Sequence, residues 1–94
     1  MAITVKFIGA FRGISGKSTL RIRVKEAVPL SKVVERVVEE QPKLRRALID
    51  PELEDPRPNT LILVNGKEIS VLNGLDTIVE NGDEVVFVPV VHGG

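Results

Sequence analysis

The chain contains no cysteine, no tryptophan and no tyrosine, and its single histidine is His92, the third residue from the last. Each absence removes a class of chemistry. Without cysteine there is no disulfide, thiolate metal site, iron–sulfur cluster or thiol nucleophile. With histidine confined to position 92, a His-based catalytic triad inside the fold is excluded. Aromatic residues are limited to Phe7, Phe11 and Phe87, which leaves little to stack on bases. Thirteen basic residues balance thirteen acidic ones, so the formal charge is zero and no direct nucleic-acid partner is expected. No apolar run approaches the roughly 20 residues of a membrane span, and the chain opens directly on Ile3-Thr4-Val5 without a signal-peptide pattern. We therefore expect a cytoplasmic protein with no membrane partner. What remains for chemistry is carboxylates, lysines, hydroxyls and the chain end, which argues against most enzyme classes.

What is present reads as one domain spanning residues 1–94, because 94 residues suffice for a single core but not for two. Ile3-Thr4-Val5-Lys6-Phe7-Ile8 alternates with the period of a half-buried strand, Ile3, Val5 and Phe7 inward. Gly9 and the Gly13–Gly16 stretch read as a loop. Thr19 to Val24 alternates again, with Leu20, Ile22 and Val24 on one face, which suggests an antiparallel hairpin. Lys17, Arg21, Arg23 and Lys25 form a basic stripe on the outer face, either a solvated surface or a partner contact. Gly16-Lys17-Ser18-Thr19 imitates the end of a phosphate-binding loop. That motif needs glycine where Phe11 stands, and a helix after it rather than a strand, so we reject it.

Leu30, Val33, Val34, Val37 and Val38 recur at the spacing of one helical face, opposed by Lys32, Glu35, Arg36, Glu39 and Glu40. Pro29 falls in the first turn of that helix, and Pro42 stops or kinks it at Gln41. Leu44, Leu48 and Ile49 suggest a short helical cap, and residues 50–59 an ordered, irregular loop. Asn65-Gly66 between apolar runs signals a type I′ hairpin, since both residues accept positive φ. Leu72, Leu75 and Ile78 are expected to plug one end of the core. Glu84 to Val88 is apolar on both faces, the composition of a central strand. A last strand placed beside the first in parallel needs a crossover, which the helix supplies. The pattern is α+β: a β-grasp, or ubiquitin-like, fold with a four- to five-stranded mixed sheet packed on one main helix plus short helical pieces.

The final strand runs past Pro89 into Val90-Val91-His92-Gly93-Gly94. At average glycine usage of roughly 7%, two terminal glycines arise by chance in about 0.5% of chains. Residues 90–94 read as a flexible tail. Two readings stand: a frayed terminus, or a terminal carboxylate that is itself the reactive group. If Val85 and Phe87 face the helix, Val86 and Val88 face away, and with Pro89, Val90 and Val91 they form a candidate partner surface unless loops cover it.

Val5-Lys6-Phe7 with Phe11-Arg12 and Gly16, Leu63-Val64-Asn65-Gly66, Asn81-Gly82-Asp83-Glu84-Val85, and Phe87-Val88-Pro89-Val90-Val91 before Gly93-Gly94 carry a resemblance over essentially the whole chain. The sequence resembles the β-grasp sulfur carriers and ubiquitin-like modifiers, which include the small subunit of molybdopterin synthase, the thiamine-pathway sulfur carrier, the small archaeal modifier proteins and the eukaryotic ubiquitin-related modifier. Many molybdopterin synthase small subunits carry a second proline and a small residue where this chain has Val90 and His92. A histidine before two glycines is similar to the eukaryotic ubiquitin-related modifier.

The resemblance implies that the Gly94 carboxylate is adenylated by an E1-like enzyme. It is then converted to a thiocarboxylate for sulfur transfer, in molybdopterin biosynthesis or tRNA thiolation, or conjugated to protein lysines. It implies a carrier substrate rather than an enzyme, with no cofactor bound and ATP used by the activating enzyme. Besides that enzyme, the implied partners are a molybdopterin synthase large subunit, a tRNA thiolation enzyme or lysine-bearing targets. Gly93 and Gly94 would let the backbone enter a narrow channel. His92 either tunes contacts there or is an unremarkable tail residue. The alternative from another class is a non-covalent ubiquitin-like interaction module with incidental glycines.

Overall fold

Ile3, Val5 and Phe7 are all essentially inaccessible, and the strand they define, β1 (Ala2–Phe7), forms one wall of the core. The computed structural model describes residues 1–90. β1 pairs antiparallel with β2 (Thr19–Arg23), Thr4 opposite Arg21. The stretch between them is a helix rather than a loop: α1 (Ala10–Ser15) starts after Gly9 and ends on Gly16. Both flanking glycines have positive φ, 58° and 76°. Six residues are too few for the 3.6-residue period to show, and a single buried anchor, Phe11, carries the packing.

The main helix, α2 (Leu30–Glu40), buries Leu30, Val33, Val34, Val37 and Val38, so packing overrides the modest helix propensity of valine. It ends at Gln41, whose φ of −128° and ψ of 72° lie outside the helical region, as a following proline requires. A 3₁₀ turn (Pro42–Leu44) and α3 (Arg45–Leu48) then bury Leu44 and Leu48 as the expected cap. Pro29 stands one residue before the helix rather than in its first turn. It belongs to β3 (Val28–Pro29), which pairs with β6 (Ile78–Val79) in a small second ribbon. Two-residue strands carry no readable alternation, so the sequence showed no sign of this pair.

β4 (Thr60–Val64) and β5 (Lys67–Glu68) flank Asn65-Gly66, whose φ values of 50° and 82° satisfy the turn inferred from the sequence. The 50–59 loop is ordered by Asp50, whose carboxylate accepts from the Glu52 and Leu53 amides at 2.9 Å. It is also ordered by Asp55, whose carboxyl the Arg57 hydrogen bonds hold below its usual range. Of the expected plug, only Leu75 packs on the core; Leu72 and Ile78 are exposed, and Ile69 and Val79 are buried instead.

β7 (Glu84–Pro89) completes a five-stranded sheet of order β2-β1-β7-β4-β5. It lies parallel to β1 and antiparallel to β4, the central position its composition demands. Phe7 and Phe87 are register partners with ring centroids 6.2 Å apart. We expect Phe11→Ala to destabilise the domain by about 3–5 kcal/mol, the usual cost of emptying a buried phenylalanine site. Urea unfolding measures it; a loss below 1 kcal/mol, as an order of magnitude, would mean α1 does not anchor the first connection.

Candidate functional site at the outer sheet face

The start of β7 is fastened on both sides by side chains from turns. Asn65 donates through Nδ2 to Asp83 at 2.9 Å, and its Oδ1 accepts from the Glu84 amide at 2.9 Å. Asn81 Oδ1 accepts from the Ala2 amide at 2.8 Å. The asparagines of the Asn65-Gly66 and Asn81-Gly82 turns therefore do more than bend the chain: they set where β7 enters the sheet. At the other end Ile8 N–H donates to the Phe87 carbonyl at 3.2 Å, and Val90 N–H donates to the Asn59 carbonyl at 2.9 Å. Gly9 sits against Pro89, where an added Cβ would come 3.5 Å from the proline ring.

Along β7 burial alternates. Val85 and Phe87 are fully buried, whereas Val86 and Val88 are half-buried on the opposite face, in neither case sealed by a loop. Pairing supplies their neighbours: Val86 lies opposite Leu63 and Lys6, and Val88 opposite Leu61. Ile8 continues the outward phase of β1 and is 45% exposed; Leu61 is 39% exposed. The outer face is thus apolar toward the C-terminal end of β7. Toward its start the surface is polar, where Lys6 Nζ meets Glu84 Oε2 at 3.0 Å.

Pro89 ends β7 opposite Thr60 and is half-buried. Val90, the last described residue, borders a hollow of about 290 Å³ with Leu61, Ile69 and Arg57. The reactive-end reading, and the 90–94 tail reading apart from Val90, fall on Val91, His92, Gly93 and Gly94, which lie outside the described residues. Sequence reasoning missed Leu61, Leu63, Ile8 and Lys6 as companions of Val86 and Val88. The alternation was legible within each strand, but which strands lie side by side, and in what register, was not.

The family model for ThiS matches residues 5–94, nearly the full chain. The chain belongs to the ThiS family. Along its whole length it is 29% identical to small archaeal modifier protein 3 of Haloferax volcanii, covering all of both chains. The fold superposes on the crystal structure of SAMP1 from Haloferax volcanii with a TM-score of 0.85, at 20% identity and complete coverage of both chains. On the solution structure of Urm1 from Trypanosoma brucei the TM-score is 0.78 at 28% identity, covering 99% of this chain and 95% of that one. The β-grasp fold expected from the sequence is therefore the observed one. As a ThiS-family protein the chain is a ubiquitin-like sulfur carrier or modifier, a small carrier acted on by E1-like enzymes rather than a catalyst. No helix among the described residues is long and apolar enough to cross a membrane.

The geometry separates substitutions within one strand. Val88→Asp, on the outer face, should cost on the order of 1 kcal/mol and leave a cooperative fold. Val85→Asp, three residues earlier and buried, should fail to fold because an unpaired carboxylate enters the core. Far-UV circular dichroism with thermal melting distinguishes them, and equal behaviour would contradict the assignment of faces.

Proposed function

We propose that this protein is a sulfur carrier or protein modifier whose reactive group is the C-terminal carboxylate of Gly94. The observation that carries this is the position of β7: the central strand, hydrogen-bonded on both edges, runs directly toward the Val91-His92-Gly93-Gly94 end. The family match extends to residue 94, which agrees with that reading. A free carboxylate is a poor electrophile, so an E1-like enzyme in the cytoplasm joins it to the α-phosphate of ATP and releases pyrophosphate. A sulfur donor then displaces AMP to leave a thiocarboxylate, or a lysine amine ultimately captures the acyl group as an isopeptide. Sulfur leaves the carrier for a molybdopterin precursor or a tRNA. The large subunit of a molybdopterin synthase or a tRNA thiolation enzyme is the receiving partner.

Threading a short tail into an enzyme channel has an ordering cost, so affinity must come from a rigid surface elsewhere. Val86, Val88 and Pro89, with Leu61 and Leu63 beside them, supply that surface. Gly93 and Gly94 allow close backbone approach in the channel, with His92, Val91 and Val90 as the stem. A non-covalent interaction module would use the same apolar face without needing the glycines.

Intact-mass spectrometry after incubation with a cognate activating enzyme, ATP and a sulfur donor should show one oxygen replaced by sulfur; lysine-bearing targets should acquire Gly94-linked isopeptides. Removing Gly94 should abolish both while leaving thermal stability unchanged. Val88→Asp should lower adenylation by at least about tenfold, equivalent to roughly 1.4 kcal/mol of docking. Full activity after loss of Gly94 would favour the interaction module. Unchanged adenylation of the Val88 variant would remove the docking face from the reading while leaving Gly94 in place.

A further inference from the structure

β2 is the outermost strand on one side of the sheet, so one of its edges has no strand beside it. In an antiparallel pair, residues that exchange both backbone hydrogen bonds alternate with residues whose polar groups point the other way. The Ser18 carbonyl accepts from Phe7 N–H at 3.0 Å, and Val24 N–H donates to the Met1 carbonyl at 3.2 Å. With Lys6 opposite Thr19 and Thr4 opposite Arg21, this phase turns residues 18, 20, 22 and 24 toward β1. The backbone of Thr19, Arg21 and Arg23 therefore faces outward. Among the described residues, the one partner on that side is Arg36 Nη1, which donates to the Arg23 carbonyl at 3.2 Å. The remaining outward N–H and C=O groups are open to an incoming strand. The opposite edge of the sheet offers no comparable ladder, because β5 is two residues long.

Side chains decide what can pair there. Arg21 and Arg23 are exposed beside this open ladder, Lys17 and Lys25 flank it, and none of the four is in an ion pair among the described residues. A second copy pairing antiparallel through the same strand would bring arginine against arginine, which disfavours self-association. An acidic strand meets the opposite sign. On the other face of β2, Leu20 and Val24 are half-buried against the core. A hollow of about 590 Å³, lined by Val24, Val28, Met1 and Arg36 among others, opens beside the end of the strand.

We propose that the β2 edge binds an extended acidic peptide segment by strand addition. In that segment carboxylate side chains alternate with small apolar ones. The carboxylates lie over Arg21 and Arg23, and the apolar side chains turn toward the hollow beside Val24 and Val28. This edge lies across β1 from the Val86 and Val88 patch, and the proposal does not depend on the chemistry of Gly94.

The test is a titration of ¹⁵N-labelled protein with a synthetic peptide of alternating Asp or Glu and Val. Amide shifts should concentrate at Thr19, Arg21 and Arg23, and raising salt from about 50 to about 500 mM should weaken binding severalfold. Arg21→Glu combined with Arg23→Glu should reduce affinity by at least roughly tenfold and confer binding to the matching Lys-Val peptide. Circular dichroism confirms that this variant is folded, and Arg21→Gln with Arg23→Gln serves as the milder substitute. Absence of shifts at millimolar peptide, shifts centred on Val86 and Val88, or equal competition by a single-stranded oligonucleotide would each overturn the proposal.

Discussion

The strand in the middle of the sheet is the last strand of the chain, and the rest of the structure follows from that placement. β7 lies parallel to β1, and a parallel pair cannot be closed by a hairpin. The crossover is α2, whose valine face covers the inner side of the sheet. β4 must then approach β7 from the other side, antiparallel, so the Asn65-Gly66 turn falls level with the start of β7 and its asparagine can cap Glu84. The contact that closes this arrangement joins the ends of the sequence. Phe7 and Phe87 are eighty residues apart (87 minus 7) yet meet as register partners. Such pairing is non-local, and loop-closure entropy is lost before the contact stabilises anything. The strong local turns at Asn65-Gly66 and Asn81-Gly82 lower that cost by presetting where β7 enters.

Much of this was legible in the residues because most elements obey a single period. β1 and β2 alternate, β7 is the continuous apolar run of a central strand, α2 repeats its valines at helical spacing, and Asn65-Gly66 specifies its own turn. The failures share a cause, which is shortness. α1 has six residues and one buried side chain, so its glycines read as loop punctuation when they are helix boundaries. The β3–β6 ribbon has two residues on each side. Leu72 and Ile78 look like core residues by type, yet both face solvent: Leu72 follows a 3₁₀ turn that buries Ile69, and Ile78 lies on the outward side of β6 while Val79 takes the interior. For the outer face, alternation marked Val86 and Val88. The surface they share with Leu61, Leu63 and Ile8 depends on register between strands, which no single stretch of sequence encodes.

Alternation along β7 also separates the side that carries stability from the side assigned to recognition in the proposed function. Val85 and Phe87 face the core and carry packing, while Val86 and Val88 face outward, where an apolar side chain gains less from folding. A carrier benefits from that division. The surface met by a partner can change in sequence with little effect on the body that presents it. The body, bonded along both edges of β7, holds the last residues of the strand in a fixed direction.

The outer face is not uniform, and its division has a physical reason. On the β7–β4 side it is apolar; on the β1–β2 side it carries Lys6, Arg21 and Arg23; the Lys6–Glu84 ion pair lies at the seam. That pair is exposed, and exposed pairs contribute little to stability. Its consequence is steric and solvational instead: charged heads over the middle of the sheet interrupt what would otherwise be one continuous apolar plane. A contiguous apolar surface ending at an unpaired strand edge would invite association with copies of itself. Arginines on β2 protect the edge by repulsion, and the seam confines the apolar area to the side from which the chain leaves the sheet. The same charges that keep identical molecules apart leave the β2 ladder open to a strand of opposite sign. On the two proposals made above, such a sheet meets two different partners on two parts of its surface without either contact exposing the core.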